Sequence, residues 1–192
     1  MQNDMQMKSF VINLLKDKLP PAYYYHDVEH TLYVVDKTIA IARQENCTEN
    51  EIRLLSAAAL WHDVGYINIY TGHEEESCAL AKKYLPGYGF SDDDITLICG
   101  MIMATKIPQS PQNKLEEIIA DADLEYLGAD GPEIMAETLF RELQSLNPAF
   151  TKEQWDKQQI SFLKDHHYFT RFCKENMEQV KAAYLKELES KI

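Results

Sequence analysis

Residues 23–30 read YYYHDVEH and run straight into the apolar segment TLYVVDKTIAIA, residues 31–42. Val28, Leu32, Val35, Ile39 and Ala42 recur at three- and four-residue spacing, the pattern of a helix laid against a core. At its mouth stand two imidazoles four residues apart, His26 and His30, with Asp27 and Glu29 between them. Polar groups entering a core need partners, because a buried unpaired charge is costly.

The same helical period runs through the rest of the chain. TENEIRLLSAAALWHDVG (48–65) begins with Thr48 three residues before Glu51, a capping box, and carries Ile52, Leu55 and Ala59 on one face up to Gly65. HEEESCALAKKYL (73–85) is expected to be a helix ended by PGYG. SDDDITLICGMIMATK (91–106) has a Ser91 cap, acids in its first turn and Lys106 at its end, the order that the helix dipole favours. PQSPQ (108–112) is a loop, and a helix from about Asn113 carries Leu115, Ile118, Ile119 and Ala122. Beyond Gly128, three more helices are expected: 132–146, 151–165, and a charged one from about His167 to the end. No strand alternation of useful length interrupts them. The expected fold is all-α, a single-domain helical bundle over 1–192 with no linker, repeat or low-complexity segment.

Bulk composition narrows the function. With 45% hydrophobic and 26% charged residues the chain is ordinary for a soluble domain. Its net charge of −12 argues against a nucleic-acid partner, which clustered Lys and Arg would have to hold. Cys47, Cys78, Cys99 and Cys173 form no CxxC pair, which excludes a zinc ribbon or dithiol redox motif. The opening MQNDMQMKSF has no basic n-region or apolar h-region, so no secretory signal is expected, and no apolar run reaches the length of a membrane span. The expected compartment is the cytoplasm, with no membrane partner and reduced thiols.

Certain polar residues fall on apolar faces. His62 continues the face of Ile52, Leu55 and Ala59, with Asp63 beside it. Leu115, Ile119 and Asp123 fall at i, i+4 and i+8, which turns Asp123 inward and leaves Asp121 on the opposite face with Lys114 and Glu117. His30 flanks the face of its own helix. Three helices thus bring His30, the pair His62–Asp63, and Asp123. Such an imidazole and carboxylate set suits a divalent first-row metal, and the lack of thiolate argues against a closed structural zinc site.

The elements HDVEHTLYVV, AAALWHDVGY and IIADADLEYLG, within residues 25–128, resemble the motifs of the HD-domain metal-dependent phosphohydrolase superfamily. The resemblance implies an HD-type bundle with a metal-binding core at about 23–128 and extra C-terminal helices at about 129–192. It also implies His30, His62, Asp63 and Asp123 as ligands of a divalent ion (Mn, Mg, Ni, Co, Fe or Zn), one ion with room for a second. YHDVEH is similar to the YHN..H of cyclic-nucleotide phosphodiesterases, with Asp27 in place of asparagine, and implies His26 as the proton donor. Where many two-metal HD enzymes carry a histidine pair, this chain has Thr105 and Lys106.

The expected activity is hydrolysis of a phosphate ester of a small metabolite, with a nucleotide as the leading class. Asp63 would orient or deprotonate a water whose pKa the cation lowers toward roughly 7. His26 would protonate the leaving oxygen. Lys106, Thr105 and His73 are the candidates for binding substrate, and a homodimer is compatible with the composition. Two alternatives stand beside this reading: a cyclic-nucleotide phosphodiesterase, and a regulatory module that binds metal or ligand without catalysis. A di-iron oxygenase is disfavoured by the missing histidine pair.

Overall fold

Asp27, inside the opening stretch, is the residue that starts the first core helix. Its side chain accepts a hydrogen bond from the His30 backbone N–H at 2.8 Å, as an N-cap carboxylate does. In the computed structural model, which describes residues 2–191, ten α-helices follow in order: α1 (Gln2–Lys18), α2 (Val28–Gln44), α3 (Glu49–Trp61), α4 (His73–Tyr84), α5 (Asp92–Ala104), α6 (Lys114–Asp123), α7 (Pro132–Leu146), α8 (Lys152–Asp165), α9 (Arg171–Asn176) and α10 (Glu178–Glu189). Short 3₁₀ turns at Val64–Ile67, Leu85–Tyr88 and Glu125–Gly128 link some of them. The described residues contain no strand, so the expected all-α class holds.

Helices α2, α3, α5 and α6 pack on one another around the main core, with α4 against α5. Thr48 and Ser91 form full capping boxes with Glu51 and Asp94, and Asn113 caps α6. Across the open end of this core, α8 packs on α10, and both α7 and α10 reach the 125–128 turn. The C-terminal helices therefore cover the end of α6 that carries Asp123.

Four expectations need correction. The buried face of α2 is His30, Thr31, Val34, Val35, Thr38, Ile41 and Ala42, whereas Leu32 and Ile39 are only half-buried. Thr31 enters the core because its hydroxyl donates to the Asp27 carbonyl at 2.9 Å. Helix α3 ends at Trp61, before Gly65. Gly65 serves close packing instead, since a Cβ there would meet the His73 carbonyl oxygen at 2.0 Å. Asp121 is fully buried: it accepts from the backbone N–H groups of Phe169 and Thr170, each at 2.8 Å, and from the Thr170 hydroxyl at 2.7 Å. It thereby pins the α8–α9 connection to α6. The terminal helix is divided at Met177, with Thr170 capping α9.

His166 follows α8 and accepts, at its backbone carbonyl, a 2.6 Å bond from the buried Lys181 ammonium, which also lies 3.2 Å from its Nδ1. Burial, reinforced by the neighbouring Lys181 charge, pushes the imidazole down to about 3. The folded ring is neutral, while an unfolded histidine takes up a proton near 6.5. The stability this confers is complete above pH 6.5 and is lost as pH falls toward 3. Urea midpoints measured at pH 6.5 and 4.5 should differ less in His166→Asn than in the parent chain; equal differences would exclude this source.

Candidate metal centre and the cavity beside it

The four inward-facing polar residues are delivered by three pieces of local structure. His30 stands in the first turn of α2, positioned by the Asp27 cap. His62 and Asp63 follow the last turn of α3, where the His62 Nδ1 meets the Ala59 carbonyl at 2.8 Å and leaves Nε2 free to face the centre. Asp123 is the last residue of α6.

One ligand atom from each of His30, His62 and Asp123 lies within 4.8 Å of the others. Asp63 Oδ2 is 3.4 Å from His30 Nε2 and 3.1 Å from His62 Nε2. Asp123 Oδ1 is 3.3 and 3.4 Å from the same two nitrogens. Ligand bonds of about 2.0–2.2 Å to a shared ion put neighbouring donors roughly 3 Å apart, so this spacing fits a cation among them. His30 Nε2, His62 Nε2 and Asp63 Oδ2 are buried without a hydrogen-bond partner. A divalent ion would satisfy all three.

The charges are coupled. Burial works against a charged His62, yet Asp63 and Asp123 beside it hold its imidazole well above the usual value. Burial likewise opposes the Asp63 charge, but His62 and His73 hold that carboxyl well below the usual range, and His30 and His62 lower Asp123. A cation must displace the proton these carboxylates keep on His62, so affinity should weaken as pH falls.

Beside the quartet stands an imidazole–aromatic stack. Tyr66, from the turn after Asp63, lies face to face with His73 at 3.8 Å between ring centroids and tilts over His26 at 4.2 Å. Its hydroxyl is 3.1 Å from His26 Nε2. The other ring nitrogen of His26, Nδ1, is 2.5 Å from Glu142 Oε1 on α7. The second Glu142 oxygen accepts from the backbone N–H groups of Tyr25 and His26 at 2.9 and 3.1 Å. Burial alone would raise the Glu142 carboxyl, but these donors hold it below the usual range. Neither Glu142 nor Tyr66 was singled out by the sequence reading. The acid of α7 faces inward in a polar stretch, RELQ, and no local pattern reports its distant partner.

A cavity of about 370 Å³ opens on this array, with His26, Asp63, Tyr66, His73 and Asp123 at its polar end. His73 Nε2 is 3.4 Å from Asp63 Oδ1. Thr105 also lines the cavity, although its hydroxyl donates back to the Ile102 carbonyl at 2.8 Å. Lys106 does not line it: its exposed ammonium pairs with Glu75. As placed, Lys106 neutralises a surface acid and not a ligand in the cavity.

Known proteins share the family and the fold of this chain. The family model "HD domain" matches residues 27–125, just over half of the chain. Two solved structures share the fold. One is Bacillus subtilis YpgQ, solved in complex with ADP, at 17% identity and a TM-score of 0.69, covering 100% of this chain and 95% of that one. The other is a predicted HD superfamily hydrolase from an uncultured Thermotogales bacterium, at 20% identity and a TM-score of 0.60, covering 95% and 91%. Comparison with curated proteins yields no match. No helix among the described residues is long and apolar enough to cross a membrane. The match over residues 27–125, more than half of the chain, places it in the HD-domain family.

Proposed function

We propose that the chain is a phosphohydrolase that cleaves a phosphate monoester of a small metabolite, with a nucleotide as the leading substrate class. The observation that carries this reading is the meeting, at one cavity mouth, of a metal-type donor set with a histidine oriented by a buried carboxylate. His30, His62, Asp63 and Asp123 would hold one divalent ion. Such an ion supplies Lewis acidity, polarising a phosphoryl oxygen and making water nucleophilic near neutral pH.

The chain's own residues account for the proton movements. Asp63 turns Oδ2 toward the two imidazoles and Oδ1 toward His73, which lets one carboxylate serve the cation and orient a water. His26, fixed through Nδ1 by Glu142, presents Nε2 beside the Tyr66 hydroxyl and donates a proton to the departing alcohol oxygen. In balance, water forms the new bond to phosphorus, the ester P–O bond breaks, and the alcohol leaves protonated with inorganic phosphate as co-product. The ADP held by the Bacillus subtilis fold relative and the aromatic walls of this cavity support a nucleotide.

The second reading, a cyclic-nucleotide phosphodiesterase, is favoured by the His26–Glu142 pair. A panel of phosphomonoesters and cyclic nucleotides, assayed with Mn²⁺, Mg²⁺, Ni²⁺, Co²⁺, Fe²⁺ and Zn²⁺, separates the two. Cation-dependent release of inorganic phosphate from monoesters is expected. Turnover confined to cyclic nucleotides would favour the second reading, and none with any cation would end both.

A further inference from the structure

Packing of α4 on α5 brings together two cysteines, Cys78 and Cys99, that stand 21 residues apart and belong to no CxxC pair. The buried face of α4 is Glu74, Ser77, Cys78 and Ala81. Three of these are small, which lets a neighbouring helix approach closely. Cys99 meets that face from α5, among the buried Ile95, Ile98 and Ile102.

The contact is reciprocal. The Cys78 thiol donates to the Cys99 carbonyl oxygen at 3.5 Å, and the Cys99 thiol donates to the Cys78 carbonyl oxygen at 3.8 Å. The two thiols also stand within hydrogen-bonding reach of each other. A disulfide needs two cysteines whose backbones are close and whose side chains converge. Sulfur-to-carbonyl contacts in both directions supply both. Each thiol is free and keeps a margin of exposure, 7% for Cys78 and 9% for Cys99, whereas Cys173 is fully enclosed.

The pair is not symmetric. Donation from Cys78 holds the Cys99 thiol below its usual range, against burial and with help from the Lys82 ammonium. The same hydrogen bond, together with burial, pushes the Cys78 thiol up. Because the thiolate is the nucleophile, Cys99 is the sulfur that attacks and Cys78 the one that resolves.

We propose that Cys78 and Cys99 form a redox site, closed by hydrogen peroxide to a disulfide that ties α4 to α5 and reopened by a dithiol reductant. The Cys99 sulfur attacks one peroxide oxygen, the O–O bond breaks, one water leaves, and Cys99 becomes a sulfenic acid. The Cys78 sulfur then attacks the Cys99 sulfur. The S–S bond forms, the S–O bond breaks, and the hydroxyl leaves with the Cys78 proton as a second water. In balance, the two thiols lose two electrons and two protons, and the peroxide is reduced to two waters. Neither cysteine lines the cavity, so the site stands apart from the phosphohydrolase reading. Helix α4 nevertheless begins with His73, and its Ser77 hydroxyl accepts from the Gly65 N–H at 2.8 Å. The disulfide would therefore fasten the helix on which the turn after Asp63 rests.

The test treats the intact chain, without added metal, with hydrogen peroxide, alkylates it in denaturant and maps its peptides by mass spectrometry without reductant. The expected product is a cross-linked Cys78–Cys99 peptide pair, lighter than its parts by two hydrogens and released by dithiothreitol, with Cys47 and Cys173 still alkylated as thiols. In Cys78→Ser, dimedone should trap Cys99 as a sulfenic acid; in Cys99→Ser, Cys78 should remain a thiol. Should either variant fail to fold, the map of the parent chain still decides the question. Sulfoxide at the exposed Met5 confirms that the peroxide acted. Under that condition, unoxidised Cys78 and Cys99, cross-links to Cys47 or Cys173, sulfinic acid at Cys99 with no cross-link, or trapping at Cys78 in place of Cys99 each overturn the proposal and leave the two thiols as packing groups.

Discussion

Alanine in place of His62 is expected to abolish both hydrolysis and any stabilisation by added metal. The imidazole contributes a buried, otherwise unpartnered Nε2 within 3.1 and 3.4 Å of Asp63 and Asp123, so its loss opens the donor set on one side. Lewis-acid stabilisation is worth several kcal/mol, and about 1.4 kcal/mol is a decade in rate. Activity should therefore fall by at least roughly 10²–10³. In the parent chain, a cation at a hundred times its Kd adds about 2.7 kcal/mol. For a domain of this size that raises Tm by roughly 5–10 °C. The variant should show no such rise. An unchanged metal-dependent Tm shift in His62→Ala would place the ion elsewhere.

The second large effect should come from Glu142, which lies outside the family's matched residues 27–125. Glu142→Gln keeps the shape but removes the charge that orients and polarises His26. Partners of this kind commonly matter by about 10–100-fold, so kcat should drop by that much with the metal-dependent Tm shift intact. The pH dependence of kcat should also move, because the proton donor loses its carboxylate, which a purely structural role would not produce. Glu142→Ala is a harsher change, since leaving buried donors unpaired costs about 3–5 kcal/mol in such pairs. Combined with His26→Ala, Glu142→Gln should add little further loss, because residues acting as one unit are not additive. Independent, multiplying effects would show that Glu142 does not act through His26.

The legibility of this protein follows the range of its interactions. Capping residues and period are local, so the starts of α3, α5 and α6 were readable almost to the residue, and the inward turn of Asp123 followed from Leu115 and Ile119. Helix α1 had an equally local signal, with Met7, Val11 and Leu15 buried at four-residue spacing, although no helix was assigned there. In α2 the face was misjudged because its core side includes threonines and a histidine, residue types that read as surface until their partners are known. Asp121, Tyr66 and Glu142 are set by contacts with residues distant in sequence or by ring stacking. Their own neighbourhoods carry no periodic or capping signal of that role. The terminal helix was read as continuous because its composition is helical throughout, and the division at Met177 has no side-chain cap to mark it.

On this reading two histidines and two aspartates, carried at the ends of three helices, hold a divalent ion beside the cavity. Calorimetric titration of the metal-free protein with Mn²⁺, run in parallel on Asp123→Ala, tests it most directly. One class of saturable sites is expected in the parent chain and none in the variant. Equal binding by both chains would contradict it.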